Sequence, residues 1–171
     1  MKHEILTETI TIPEGCTFTN DKKIITVKGT KGEVTRIMPD KKIQIEQEGS
    51  ELKLTYKMAT KREKRMLFTT RAHIKNMIKG VQEGFTYKLK ICSGHFPMNV
   101  SLKGDTLEIK NFIGEKVPRV LKIKQGATVK VNGDEIIVES LSKELAGQVA
   151  GSIEKLTKRP NFDKRIFQDG I

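Results

Sequence analysis

The chain is expected to be an α+β protein made of two duplicated two-layer domains, each an antiparallel-rich sheet packed by one helix. Three observations lead there. Short stretches of period-two alternation fill most of each half, and a single stretch with apolar spacings of three and four then closes it. Two strand-and-turn segments recur at offsets of 82 and 84 residues. A length of 171 residues gives each half enough chain for a small core of its own.

In the first half, Glu8–Ile12, a short piece at Phe18, Ile24–Lys28, Val34–Ile37, Ile43–Gln47 and Glu51–Tyr56 alternate apolar and polar residues, with Gly, Asn and Asp between them. The tight turns Gly29-Thr30-Lys31-Gly32 and Glu48-Gly49-Ser50 favour antiparallel hairpins. From about Lys61 the period changes: Leu67, Thr70, Ile74, Met77, Ile78 and Val81 fall on one helical face, while Arg71, Lys75 and Lys79 form a charged stripe elsewhere. Gly80 and Gly84 are read as the stop, which places the domains at 1–82 and 83–171.

The second half repeats the plan. Thr86–Cys92, Met98–Leu102, Thr106–Lys110, Val120–Lys124, Thr128–Val131 and Ile136–Glu139 read as strands, with Asn132-Gly133 as a hairpin turn. Ser142 can cap a helix carrying Glu144 in its first turn and Leu145, Val149, Ile153 and Leu156 on its apolar face. Pro160 stops its continuation and leaves a basic tail from about 157 to 171. The duplication shows residue by residue. Ile25-Thr26-Val27-Lys28-Gly29-Thr30-Lys31-Gly32-Glu33 lies beside Leu107-Glu108-Ile109-Lys110-Asn111-Phe112-Ile113-Gly114-Glu115, each reading as strand, turn, then Gly-Glu opening the next strand. Gly49-Ser50-Glu51-Leu52-Lys53-Leu54 likewise lies beside Gly133-Asp134-Glu135-Ile136-Ile137-Val138.

Composition narrows the function. The 32 Lys and Arg against 21 Asp and Glu leave a net charge of +11. The excess is shared, 17 cations to 11 anions in residues 1–85 and 15 to 10 in the remainder, so it is no detachable tail. A basic chain of this kind favours a polyanionic partner, most often nucleic acid. No apolar run approaches the roughly 18 residues of a membrane span. The start, Met1-Lys2-His3-Glu4-Ile5-Leu6-Thr7-Glu8, has no apolar segment of a secretory signal, and Cys16 and Cys92 cannot build a disulfide framework. A cytoplasmic protein with no membrane partner is expected.

Catalytic chemistry has little support. Ser93 and His95 flank Gly94 with no acidic orienter or nucleophile elbow beside them. Cys92-x-x-His95 offers half of a zinc site, and no second pair follows. Gly29-Thr30-Lys31-Gly32 has the letters of a GXXG clamp but joins strands, and no Walker or dinucleotide motif occurs. No enzymatic activity, small-molecule substrate, metal or cofactor is expected.

RNA binding remains, with three suited stretches. Lys57-Met58-Ala59-Thr60-Lys61-Arg62-Glu63-Lys64-Arg65 sets five cations against one anion. The loop Asn111-Phe112-Ile113-Gly114-Glu115-Lys116-Val117-Pro118-Arg119 mixes cations with two apolar side chains expected to be exposed, Phe112 and Ile113. The tail carries Lys155, Lys158, Arg159, Lys164 and Arg165 against Asp163 alone. Lys88/Lys90 and Lys122/Lys124 fall opposite Leu89/Ile91 and Leu121/Ile123, which predicts a lysine-studded outer sheet face able to neutralise phosphates. With seven Phe, two Tyr and no Trp, scattered, the chain lacks a base-stacking platform. Folded, largely double-stranded RNA read through its backbone fits better.

Specific stretches then resemble a known family. Asn76-Met77-Ile78-Lys79-Gly80-Val81 with Gly84-Phe85-Thr86-Tyr87-Lys88, His95-Phe96-Pro97-Met98-Asn99-Val100, Ile109-Lys110-Asn111-Phe112-Ile113-Gly114-Glu115-Lys116 and Arg165-Ile166-Phe167-Gln168-Asp169-Gly170-Ile171 resemble, in order, the large-subunit ribosomal protein L-six family in its archaeal and eukaryotic form. The resemblance runs from Ile12-Pro13-Glu14 to the end and departs in a short stretch between Tyr56 and Phe68 that lacks a tryptophan-bearing segment. It implies a structural protein of the large ribosomal subunit whose C-terminal domain binds rRNA near the sarcin-ricin region and the stalk base, beside neighbouring ribosomal proteins. Carried onto this chain, the implied rRNA contacts are Lys110, Asn111, Phe112, Gly114, Lys116, Arg119, Lys158, Arg159, Lys164 and Arg165, with Lys116 and Arg119 holding phosphates and Gly114 permitting close backbone approach. A non-ribosomal RNA-binding regulator of the same fold is the alternative.

Overall fold

A computed structural model of the chain describes residues 3–21, 24–38, 42–163 and 165–171. It divides into two compact units, Met1–Gly84 and Phe85–Ile171. The first contains β1 (His3–Thr11), β2 (Thr17–Asp21), β3 (Ile24–Gly29), β4 (Gly32–Ile37), β5 (Gln44–Glu48), β6 (Glu51–Ala59) and α1 (Lys61–Gln82). The second contains β7 (Phe85–Lys90), β8 (Asn99–Lys103), β9 (Thr106–Lys110), β10 (Arg119–Lys122), β11 (Ala127–Asn132), β12 (Glu135–Ser140) and α2 (Lys143–Leu156), with a 3-10 turn at Phe112–Gly114.

The duplication is visible in the pairing. The first unit has two three-stranded antiparallel sheets, ordered β1-β6-β5 and β2-β3-β4. The second has β7-β12-β11 and β8-β9-β10, the same orders taken element for element. The expected single sheet per half is thus split in two. In the first unit the chain leaves β1 for the second sheet through a turn where Gly15 takes φ +83, a left-handed value suited to glycine.

Each helix covers a core; the periodicity marks the buried face of α1 and, on α2, Val149 and Ile153, whereas the expected Leu145 and Leu156 are only half-buried and Ala146 and Ala150 fill the face instead. On α1, Leu67, Thr70, Ile74, Met77, Ile78 and Val81 are all buried, against Ile10, Ile25, Val27, Leu52, Leu54 and Tyr56 among others. The α1 start is fixed by a capping box in which the Glu63 carboxylate accepts from the Thr60 backbone N–H at 2.9 Å and from the Thr60 hydroxyl. Those bonds hold the Glu63 carboxyl below its usual range. Of the two expected stop residues, Gly84 ends the helix with φ +79, while Gly80 remains buried inside its last turn. On α2, Ala146, Val149, Ala150 and Ile153 are buried, and Ser142 Oγ accepts from the Leu145 N–H at 3.4 Å.

The two hairpins that the repeat aligned differ in detail. Gly29 pairs with Gly32 across a two-residue turn. In the second unit the last β9–β10 pair is Ile109 with Arg119, and residues 111–118 form the connection between the two strands. Gly114-Glu115 therefore lies in that connection and does not open a strand, contrary to the expectation. The chain needs the extra length because Phe112 turns into the core.

Candidate nucleic-acid interface

The connection between β9 and β10 is shaped by left-handed backbone. Asn111 (φ 58), Ile113 (φ 46) and Gly114 (φ 74) all lie in that region, the first two at a conformational cost that L side chains rarely bear. Asn111 Nδ2 donates to the Pro97 carbonyl at 3.0 Å, which ties the connection to the segment before β8. The result inserts Phe112, only 1% exposed, under the Arg119 guanidinium, whose carbon lies 4.4 Å from the ring centroid. This corrects the expectation that Phe112 is exposed; its ring is part of the core. Ile113 is half-buried.

Arg119 is equally committed. Its Nε and Nη2 donate to the two Glu115 carboxylate oxygens at 2.7 and 2.6 Å, a bidentate fork. Its Nη1 donates to the Leu156 carbonyl at 2.6 Å, at the end of α2, where a cation also meets the negative pole of the helix dipole. The hydrogen bonds from Arg119, with Arg159 a further cation nearby, hold the Glu115 carboxyl below its usual range. Where the expectation has Arg119 presenting its fork to a phosphate, the structure shows every nitrogen of the guanidinium hydrogen-bonded within the protein. Its role is to clamp the connection onto the helix end.

The other cations stand differently. Lys116 and Lys158 are exposed, and among the described residues neither side chain has an ion-pair partner. Lys110 is half exposed, 3.8 Å from Glu108, a carboxylate held low first by the Lys103 hydrogen bond. Arg159 packs over Phe162, 4.2 Å from the ring centroid, and reaches Glu115 at 4.0 Å. Arg165 is 90% exposed and bidentate to Asp163, whose carboxyl it holds low. Lys164 lies outside the described residues. Asn111 and Gly114 are exposed, and the nearest atom to a Cβ at Gly114 would be a Phe96 ring carbon 3.8 Å away, so the backbone here is open to close approach.

Sequence reasoning missed how the tail is held. Asp169 Oδ1 accepts the Gly94 and His95 backbone N–H groups at 2.7 and 3.0 Å, and Oδ2 meets His95 Nδ1 at 2.6 Å. The acidic orienter of His95 thus exists, 74 residues away in sequence and invisible to a local motif search. The His95 backbone N–H is the first cause of the Asp169 carboxyl lying below its usual range. Phe167 lies between His95, to which its ring is tilted, and Phe162, which it meets edge to face, each 5.0 Å away by ring centroid. Gly170 and Cys92 exchange backbone hydrogen bonds at 2.8 Å, and the Ile171 N–H donates to Thr157 Oγ1 at 3.1 Å. Between this tail, the end of α2 and the 3-10 turn lies an open cleft of about 460 Å³ rimmed by Lys155, Lys158 and Arg159.

The lysine face takes the form expected, on two sheets where one was expected. Lys88, Lys90 and Lys122 are exposed while Leu89 and Leu121 turn inward. Lys124 is exposed but donates to Gln148 at 2.7 Å. Among the described residues no group of three or more His, Cys, Asp or Glu could hold a metal, and no helix is long and apolar enough to cross a membrane. Cys16 and Cys92 are both free.

Comparison with known proteins follows the same division into repeats. A family model described as ribosomal protein L6 matches the chain twice, over residues 12–84 and 96–170. The large ribosomal subunit protein uL6 of Methanosarcina mazei is 45% identical over 166 residues, covering 97% of this chain and 94% of that protein. The protein of the same name from Methanococcus vannielii is 44% identical over 167 residues, covering 98% and 92%. That of Ignicoccus hospitalis is 44% identical over 167 residues, covering 95% and 90%.

Proposed function

The chain belongs to the ribosomal protein L6 family, and on that premise we propose that it is a structural, non-enzymatic constituent of the large ribosomal subunit. Its second repeat binds folded rRNA near the sarcin-ricin region and the stalk base, on the side where translation factors dock. The observation that carries the assignment of residues is the contrast between two kinds of cation on one surface. Arg119 is spent inside the protein to shape the β9–β10 connection, while Lys116 and Lys158 stand exposed and without ion pairs beside it.

The exposed cations Lys110, Lys116, Lys158 and Arg165 neutralise phosphates, together with Lys164 in the same tail. Asn111 and Gly114 bring the backbone close to the RNA, and Phe112, Arg119 and Arg159 hold the connection and the tail in place. An ammonium that has no carboxylate partner surrenders nothing but its hydration when a phosphate arrives, and counterion release supplies the driving force. Arg165 gives up an exposed pair with Asp163, which costs little.

Chemical footprinting of large-subunit rRNA with the full chain tests this. The wild type protects a compact set of nucleotides in the factor-binding region, and Lys116→Gln with Lys158→Gln weakens that protection. Unchanged protection in the double variant would remove the residue assignment. Protection of a messenger, with none on rRNA, would favour a regulator of the same fold.

A further inference from the structure

The first repeat carries its own cationic surface, which the proposed contacts do not use. Helix α1 contains seven Lys and Arg and one acid, Glu63. Glu63 is consumed by the cap at Thr60. Arg71 pairs with Glu8 at 3.3 Å and Lys79 with Glu83 at 3.6 Å. Lys61, Arg62, Lys64, Arg65 and Lys75 remain, all exposed, and among the described residues none of them forms an ion pair. The outward face that holds them also exposes Phe68, with the Lys64 ammonium 5.9 Å from its ring centroid. From Lys61 to Lys75 this face extends for about 21 Å.

Helix stability does not ask for this arrangement. Like charges spaced three and four residues apart, as at Lys61–Lys64, Lys61–Arg65 and Arg62–Arg65, destabilise a helix. Cations in the first turns also oppose the helix dipole. The counterpart α2 shows the neutral solution, with two Lys balanced by two Glu. A solvated helix gains by interleaving acids on its outer face, and α1 has none there.

We propose that the outer face of α1 is a second RNA-binding surface, which takes the phosphate backbone of folded RNA independently of the second repeat. This rests on the reading that the partner is rRNA. A polyanion relieves the repulsion among the five cations and the opposition to the dipole together, and a row of cations along one helix face suits backbone contact better than base reading.

The test uses the full chain with deproteinised large-subunit rRNA as probe, measured across a salt series. The α1 variant Lys61→Gln, Arg65→Gln, Lys75→Gln is compared with Lys116→Gln, Lys158→Gln. Gln is a good helix former at exposed positions, and thermal unfolding verifies that both variants fold. The α1 variant should lose about tenfold or more in affinity, and its dependence of log K on log salt should be shallower by about 2 to 3. An α1 variant with unchanged affinity and slope, beside a weakened second-repeat variant, overturns the α1 surface and leaves the ribosomal reading intact. Wild-type protein that binds no rRNA overturns both. A photo-crosslinker placed on Ala72→Cys, between Phe68 and Lys75 on the exposed face, in a chain whose free thiols are removed by Cys16→Ser and Cys92→Ser, supplies a second readout. Crosslinks to RNA support the proposal, and crosslinks in assembled subunits only to an acidic protein overturn it.

Discussion

The two repeats solve one structural problem by different means. In each, the hairpin of the second sheet docks on the C-terminal end of the helix. In the first, Lys31 N–H donates to the Val81 carbonyl at 3.0 Å, and Lys31 Nζ donates to the carbonyl of Glu83. In the second, a guanidinium replaces the ammonium: Arg119 reaches Leu156 O while gripping Glu115. The first version needs a two-residue turn, and the second needs the left-handed connection around Phe112. Topology has been kept across the duplication, and the turn chemistry and charge have diverged. The lesson is that the aligned loops of a duplicated protein can share a mechanical task while only one of them is enlarged, and in the proposed function that enlarged loop is the one that meets RNA.

The largest way to break the comparison is to remove the residue found only in the enlarged loop. Phe112→Ala empties a fully buried ring site and should cost about 3–5 kcal/mol, read by denaturant unfolding. Next is the clamp. Arg119→Leu leaves the Glu115 carboxylate half-buried without its partner and uncaps α2, for a loss of about 2 kcal/mol. Lys31→Leu in the first repeat removes an exposed ammonium and should change stability by less than about 0.5 kcal/mol. Equal losses at Arg119 and Lys31 would contradict the view that the second repeat depends on its clamp.

A pair of glycines sharpens the contrast. A Cβ at Gly29 would lie 2.6 Å from Val81 Cγ2 and 3.1 Å from the Val81 carbonyl oxygen, so Gly29→Ala should cost about 1–3 kcal/mol by overpacking. Gly114→Ala meets nothing closer than 3.8 Å and pays only for φ +74, about 1–2 kcal/mol. Asn at position 114, which tolerates left-handed backbone, should recover part of that loss, and Asn at 29 should recover none.

The smallest effect is on the tail latch. Asp169 has its carboxyl lowered first by the His95 backbone N–H and then by the His95 ring and the Gly94 N–H, so the latch adds stability above the ordinary aspartate range. That contribution disappears as pH falls through the lower folded-state value. Hydrogen-exchange protection at the Cys92 and Gly170 amides, taken relative to the intrinsic rate at each pH, should fall on acidification, and Asp169→Asn should remove that extra acid sensitivity. An unchanged profile in the variant would show that the carboxylate does not hold the tail.

How much the sequence revealed depended on the reach of each signal. Helical faces were legible because Leu67, Ile74, Ile78 and Val81 repeat at the spacing that burial demands. The duplication was legible because strands and turns recur at nearly constant offset. Phe112 was misread because a turn between cations looks solvent-facing until Asn111 and Ile113 adopt left-handed backbone. The engagement of Arg119 within the protein was not legible, because Glu115, four residues earlier but outside any helix, gave no sign of facing it. The Asp169–His95 contact joins residues too far apart for any local pattern to register.

The central claim is that the chain is a built-in part of the large subunit, held by the cations its scaffold leaves free. Quantitative co-sedimentation through a high-salt wash tests it most directly. The account predicts that the full chain stays with the large subunit in stoichiometric amount, and that Lys116→Gln with Lys158→Gln is partly stripped by the same wash. Complete release of the wild-type chain, or subunits that assemble and translate fully without it, would contradict the account.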